Sequence, residues 1–224
     1  MPLLEICCYS YTSASMAASG GADRVELCGP GEGGLTPDRE TIVHTRSLYD
    51  ISLFVMIRPR TGNFCYSDTE FEQMKESIRV AKVLRADGVV FGVLNPDGTV
   101  DKPRNQVLAA LAYPMQTTFH KAFDTCPNLD QALDTIVECG IHRILTSGGK
   151  PTAQAGFATI THLIDYAQGR ITIMAGGGIR SSNIVTLHIP GLSEYHSSAL
   201  IKGDLTDLLE IQALRRRIDS FSTK

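Results

Sequence analysis

Eight times in succession a short apolar segment is followed by a longer amphipathic one, and nothing else in the chain restricts its fold so tightly. Each unit takes about 28 of the 224 residues. The predicted strands cover 3–8, 23–28, 52–58, 88–94, 116–123, 143–146, 171–175 and 195–199. The predicted helices cover 13–19, 37–49, 67–85, 103–113, 129–139, 158–167, 182–188 and 207–221. Pro37 behind Thr36 reads as a helix start with Thr36 as its cap. Ser67 with Glu70 reads as a capping box, and Gly140 as a helix stop. Strands that alternate with helices pair in parallel. Eight such units predict an α/β fold of the (β/α)8 TIM-barrel class, one domain over 1–224, with lean loops. An open, doubly wound sheet is the alternative.

Composition enters as a set of exclusions. Apolar residues make up 43% of the chain, enough for one sizeable core. A net charge of -3 and a pI near 6.1 give no reason to expect nucleic acid. No run approaches the ~18 apolar residues of a membrane helix. The opening MPLLEICCYS carries Glu5 and no basic stretch, so no signal peptide is expected, and the protein is expected in the cytoplasm. The six cysteines then read as thiols. No C-x-x-C pair suggests a structural zinc site.

In such barrels the site lies at the C-terminal ends of the strands. Strand side chains alternate between faces, so Glu26 and Cys28 share one face, with Val25 and Leu27 on the other. Glu5 and Cys7 repeat that spacing in the first strand. The other strand ends bring Arg58 and Arg60, His120 and Asp124, Ser147, Gly176-Gly177-Gly178, and His196 with Ser198. Burying such charges unpaired is costly, so they pair with one another or hold a ligand. Glu5 and Glu26 paired with Arg58 and Arg60 would be a purely structural network. Asp124, on the same predicted face as His120, would orient that imidazole. His44, His142, His162 and His188 read as surface residues. Gly176 to Gly178, ahead of a predicted helix, form a candidate phosphate cradle. Cys7 and Cys28, on strands about 5 Å apart, are candidate ligands for one metal ion, and soft thiolates select Cu(I). Cys65 and Cys126 lie in loops at the same end and are possible added ligands. Cys8 and Cys139 read as structural.

The strings LEICC, GADRVELC, GGLTP, MIRPRTGNFCYSD, GVVFGVLNPDG, TFHKAFD, RILTSG, AGGGI and EYHSSA follow one another in this order. Together they resemble the CutC family of copper homeostasis proteins over about 3–200. The resemblance implies a cytoplasmic TIM barrel, a homo-oligomer such as a dimer, and a role in copper handling with Cys7 and Cys28 as Cu(I) ligands. Two departures stand out. The family's His-Arg is His120-Lys121 here, a mild change if that side chain points outward. The segment after Ala199 is short, which weakens the case for a phosphate on that side.

Two functions follow as expectations. One is a Cu(I)-binding protein using Cys7 and Cys28. The other is an enzyme on a small anionic substrate bearing phosphate or carboxylate. There Arg58 and Arg60 would clamp the anion, Gly176 to Gly178 would hold phosphate, and His120 with Glu26 would do acid/base work.

Overall fold

The computed structural model describes residues 1–48, 51–201 and 205–222. Eight strands close into a parallel barrel in chain order: β1 (Leu3–Cys8), β2 (Arg24–Leu27), β3 (Ser52–Met56), β4 (Gly88–Phe91), β5 (Gln116–Phe119), β6 (Arg143–Thr146), β7 (Thr172–Ala175) and β8 (Glu194–Ser197). Around it lie α1 (Tyr11–Gly20), α2 (Arg39–Arg46), α3 (Asp68–Val83), α4 (Lys102–Ala112), α5 (Leu129–Glu138), α6 (Phe157–Ala167) and α7 (Leu208–Asp219). This is the (β/α)8 barrel that the repeat predicts.

The period of two along each strand sorts the core into two layers. Leu4, Ile6 and Cys8 of β1, Val25 and Leu27 of β2, and Tyr195 of β8 belong to the large cluster between barrel and helices. Cys7, Cys28, Phe54, Met56 and Val90 form a separate cluster inside the barrel. Register then decides who meets whom across strands. Cys7 lies opposite Glu26, and Glu5 lies opposite both Arg24 on β2 and His196 on β8.

Several predicted boundaries shift, each for a local reason. The helix expected from 37 starts at Arg39, because the side chain of Asp38 caps it by accepting from Thr41 N at 2.8 Å. Thr36 is occupied elsewhere: its hydroxyl accepts from Arg58 N at 2.9 Å and tethers the end of β3. The expected end of that helix, at 49, lies outside the described residues. The Ser67–Glu70 capping box forms as expected. The strand expected over 116–123 stops at Phe119, and Lys121–Thr125 turns into a short 3-10 helix. The helix expected over 182–188 is only a 3-10 turn, Ile184–Leu187. Part of the short segment after Ala199, residues 202–204, is outside the description.

Candidate functional site

A cavity of about 450 Å³ opens at the C-terminal ends of the strands, within the range of small-molecule sites. Cys7, Glu26, Met56, Leu145 and His196 line it from the strands; Arg58, Phe64, His120, Lys121, Gly177, Gly178, Arg180 and Ser198 line it from the loops and strand ends.

The floor is built by β1, β2 and β8. Cys7 Sγ and Cys28 Sγ are 3.8 Å apart, and Cys28 Sγ is 3.7 Å from Glu26 Oε2. His196 places Nδ1 2.6 Å from Glu5 Oε1 and Nε2 3.8 Å from Glu26 Oε2. Ligand atoms of Cys7, Glu26 and His196 all fall within 4.8 Å of one another. Glu26 Oε1 is buried and has no hydrogen-bond partner among the described residues. Beneath the floor, Arg24 is paired with both Glu5 and Glu194, and Arg143 Nε is 3.1 Å from Glu194 Oε2.

These contacts set the charges. Burial would push the Glu5 carboxyl up, but Arg24 and His196 outweigh it and hold its pKa down to about 2. The hydrogen bond from the Cys28 thiol, with help from His196 and against burial, holds Cys7 well below the usual thiol range. Burial pushes Glu26 well up. Burial opposes a charge on His196, but Glu26, Cys7 and Glu5 together hold its pKa well above the ordinary value. The floor thus groups two sulfurs, a carboxylate and an imidazole, and the imidazole is held from behind by the Glu5 carboxylate.

The structure gathers part of the expected ring. Cys7, Glu26, Arg58, His120, His196, Ser198, Gly177 and Gly178 line the cavity; Cys28 and Glu5 stand directly behind Cys7 and His196. Others are placed differently. Asp124 does not orient His120. It lies on the 3-10 turn and accepts from Thr146 Oγ1, from the N–H and hydroxyl of Ser147 and from Gly149 N. The alternation that joined Asp124 to His120 fails because the strand has already ended. Arg60 does not clamp the cavity: its Nε is 2.6 Å from Glu70 Oε1, and its other nitrogens bond the loop up to Cys65 O. The proposed ion network of Glu5 and Glu26 with Arg58 and Arg60 is absent among the described residues; Glu5 uses Arg24 instead.

Ser147 supports Lys121 and Asp124 from outside the lining. Gly176 makes room for the wall rather than for a ligand, since a Cβ there would stand 2.5 Å from Leu145 Cδ1. Among the described residues only the 3-10 turn Ile184–Leu187, and no α-helix, lies between the glycine run and β8, and Ser181 N donates to Glu210 Oε1 at 2.7 Å, so the cradle lacks its helix terminus. Cys65 and Cys126 bond the carbonyls of Asn95 and Ala122 and add no ligand.

His120 sits where burial favours its neutral form. Its Nδ1 accepts from Ala122 N at 3.2 Å, and burial, aided by Arg58, lowers its pKa to about 3. With Nδ1 an acceptor, the neutral ring carries its proton on Nε2 and serves as a donor. Lys121 is the residue that sequence reasoning missed. It lines the cavity because the 3-10 turn rotates it inward, with Nζ 2.7 Å from Ser147 Oγ. No pattern in FHKAF announces that turn. Arg24 was detectable, being two residues before Glu26 on the same face.

The family model for the CutC family matches residues 2–201. A Klebsiella pneumoniae (strain 342) relative named family protein CutC is 46% identical over 200 residues, covering 89% of this chain and 81% of its own. A crystal structure described as a copper homeostasis protein CutC, from Streptococcus agalactiae, superposes with a TM-score of 0.84 at 32% identity over 88% of this chain and 99% of that one. Thiamine phosphate pyrophosphorylase from Pyrococcus furiosus, at 16% identity and a TM-score of 0.67 over 97% of this chain and 96% of its own, shares the fold alone. On the match across nearly its whole length, this chain belongs to the CutC family.

Proposed function

We propose that this chain binds Cu(I) as cargo at the floor of the barrel, with the sulfurs of Cys7 and Cys28 as its ligands. The observation that carries the reading is the 3.8 Å approach of two buried sulfurs inside the barrel. Two metal–sulfur bonds of about 2.3 Å can span that gap, taking zinc thiolates as a guide. Thiolates suit a soft ion, and metal capture at such a pair releases protons. His196 and the unpartnered Glu26 Oε1 stand close by as further donors. The reading puts the protein in the cytoplasm, where thiols stay reduced. It also keeps the homodimer implied by family resemblance, which light scattering of the purified chain would check.

Anaerobic titration with Cu(I) against a competing chelator tests the copper site. The wild type is expected to take up one ion tightly, Cys28→Ala to bind far more weakly, and Cys8→Ala to match the wild type, since Cys8 faces the helices. Equal, weak binding by wild type and Cys28→Ala overturns the reading.

A further inference from the structure

We propose that the mouth of the cavity is a binding site for a small organic oxyanion, a carboxylate or a phosphate monoester, held by Arg58, His120 and Lys121 and independent of any metal at the floor.

Arg58 supplies the first reason. It is buried, yet every acceptor of its guanidinium among the described residues is a neutral carbonyl: Glu32 O at 2.7 Å, Gly34 O at 3.3 Å and Gly62 O at 3.0 Å. Its Nε has no partner among the described residues. A buried cation without a counter-charge is costly, and an anion in the adjoining cavity relieves that cost. The guanidinium's planar fork suits a carboxylate or phosphate.

His120 supplies the second. Only 4% exposed, it lines the same cavity, and its Nε2 has no partner among the described residues. A buried N–H left unmatched is unfavourable, so a ligand oxygen is the acceptor its surroundings lack. Phe64 packs against both groups, its ring tilted 51° to that of His120 at 4.9 Å and lying 5.1 Å from the Arg58 guanidinium, and so holds the two donors side by side.

Glycines supply the third. Gly92 has no left-handed backbone to explain it, and a Cβ there would stand 2.8 Å from the His120 ring. A Cβ at Gly33 would stand 2.7 Å from Arg58 Nη1, and one at Gly177 3.0 Å from Ser147 Cβ and 3.1 Å from Lys121 Nζ, though both glycines also have left-handed backbone, φ +73° and +102°. At Gly92 the missing side chain is therefore what makes room for the His120 ring. Lys121 lines the same cavity with its side chain 40% exposed; its Nζ is 2.7 Å from Ser147 Oγ and 3.3 Å from Asp124, which neutralises it in part.

The test uses the full chain, metal-free in chelator, titrated by calorimetry and by amide chemical shifts. The probes are glycerol phosphate, malonate and uncharged glycerol. Saturable binding of at least one anion, with no binding of glycerol, is expected; the two anions separate the phosphate and carboxylate forms of the ligand. Arg58→Gln should weaken that binding about tenfold or more, the loss of a charge-assisted hydrogen bond. Lys121→Gln, on a half-exposed side chain, should also weaken it and covers the case that the buried variant does not fold. Arg79→Gln, on the exposed face of α3 where Arg79 pairs with Glu76, should bind as the wild type does. No saturable binding by either anion overturns the proposal, as does a folded Arg58→Gln or Lys121→Gln that binds unchanged. Cys28→Ala should keep the anion while losing copper; loss of the anion in that variant would place it at the floor and also overturn the proposal.

Discussion

Two sets of buried arginines occupy the inside of one barrel and are treated in opposite ways. At the lower end, Arg24 and Arg143 meet Glu5 and Glu194, and both guanidiniums pack on the ring of Phe54, at 4.7 and 5.0 Å. At the upper end, Arg58 lies 5.1 Å from the Phe64 ring but meets only carbonyl oxygens among the described residues. The lower set is closed on itself and needs nothing from solution. The upper set is held in place with its charge uncompensated. Burial by itself therefore does not separate a structural ion network from a binding site; the identity of the partner does.

The comparison breaks most visibly at Arg24. Arg24→Leu should cost about 3–5 kcal/mol in urea unfolding, because it strands a buried carboxylate. Arg58→Leu strands only carbonyls and should cost about 1–3 kcal/mol. Equal costs would erase the distinction.

Acid separates the same two ends. Glu5, held at about 2 against an ordinary 4.5, contributes stability that is complete above pH 4.5 and is lost as pH falls toward 2. The contribution is roughly 3 kcal/mol by linkage, and Glu5→Gln should flatten that part of the profile. His120 works in a higher window. The unfolded chain takes up its proton below about 6.5, the folded one only near 3, so stability falls as pH drops between them. His120→Gln should remove that slope and leave the lower one. Urea midpoints across pH decide both, and a single slope insensitive to either variant would show that the two ends do not titrate separately.

The smallest effect sharpens the picture of the mouth. Gly177 has φ +102°, and Gly177→Ala should cost of order 1 kcal/mol in strain while also weakening anion binding, because its methyl crowds Ser147 Cβ and the Lys121 ammonium that Ser147 holds. Gly169→Ala meets the backbone strain alone, at φ +75° with nothing within 4 Å, and should leave binding intact.

Strand interiors were legible from the chain, and strand ends were not. The segment 143–146 forms as read, and the inward placement of Glu5, Cys7, Glu26 and His196 follows from alternation. Past the last ladder hydrogen bond, alternation continues in the sequence but no longer in space. That is why Asp124 left His120, and why Lys121 came inward. Arg60 was lost to Glu70, the same residue whose capping box the sequence displays, since nothing local shows that this carboxylate also accepts a guanidinium.

The local pattern determined which face each strand side chain takes, because a pleated strand alternates regardless of its neighbours. Partners were decided only by closure. Glu5 and His196 are 191 residues apart and lie opposite each other because β8 returns to β1 to complete the barrel. With that return come the fixed imidazole, the donors gathered around Cys7 and the paired arginines below them. Each depends on a register that hydrogen bonds between distant segments impose and that no single segment encodes.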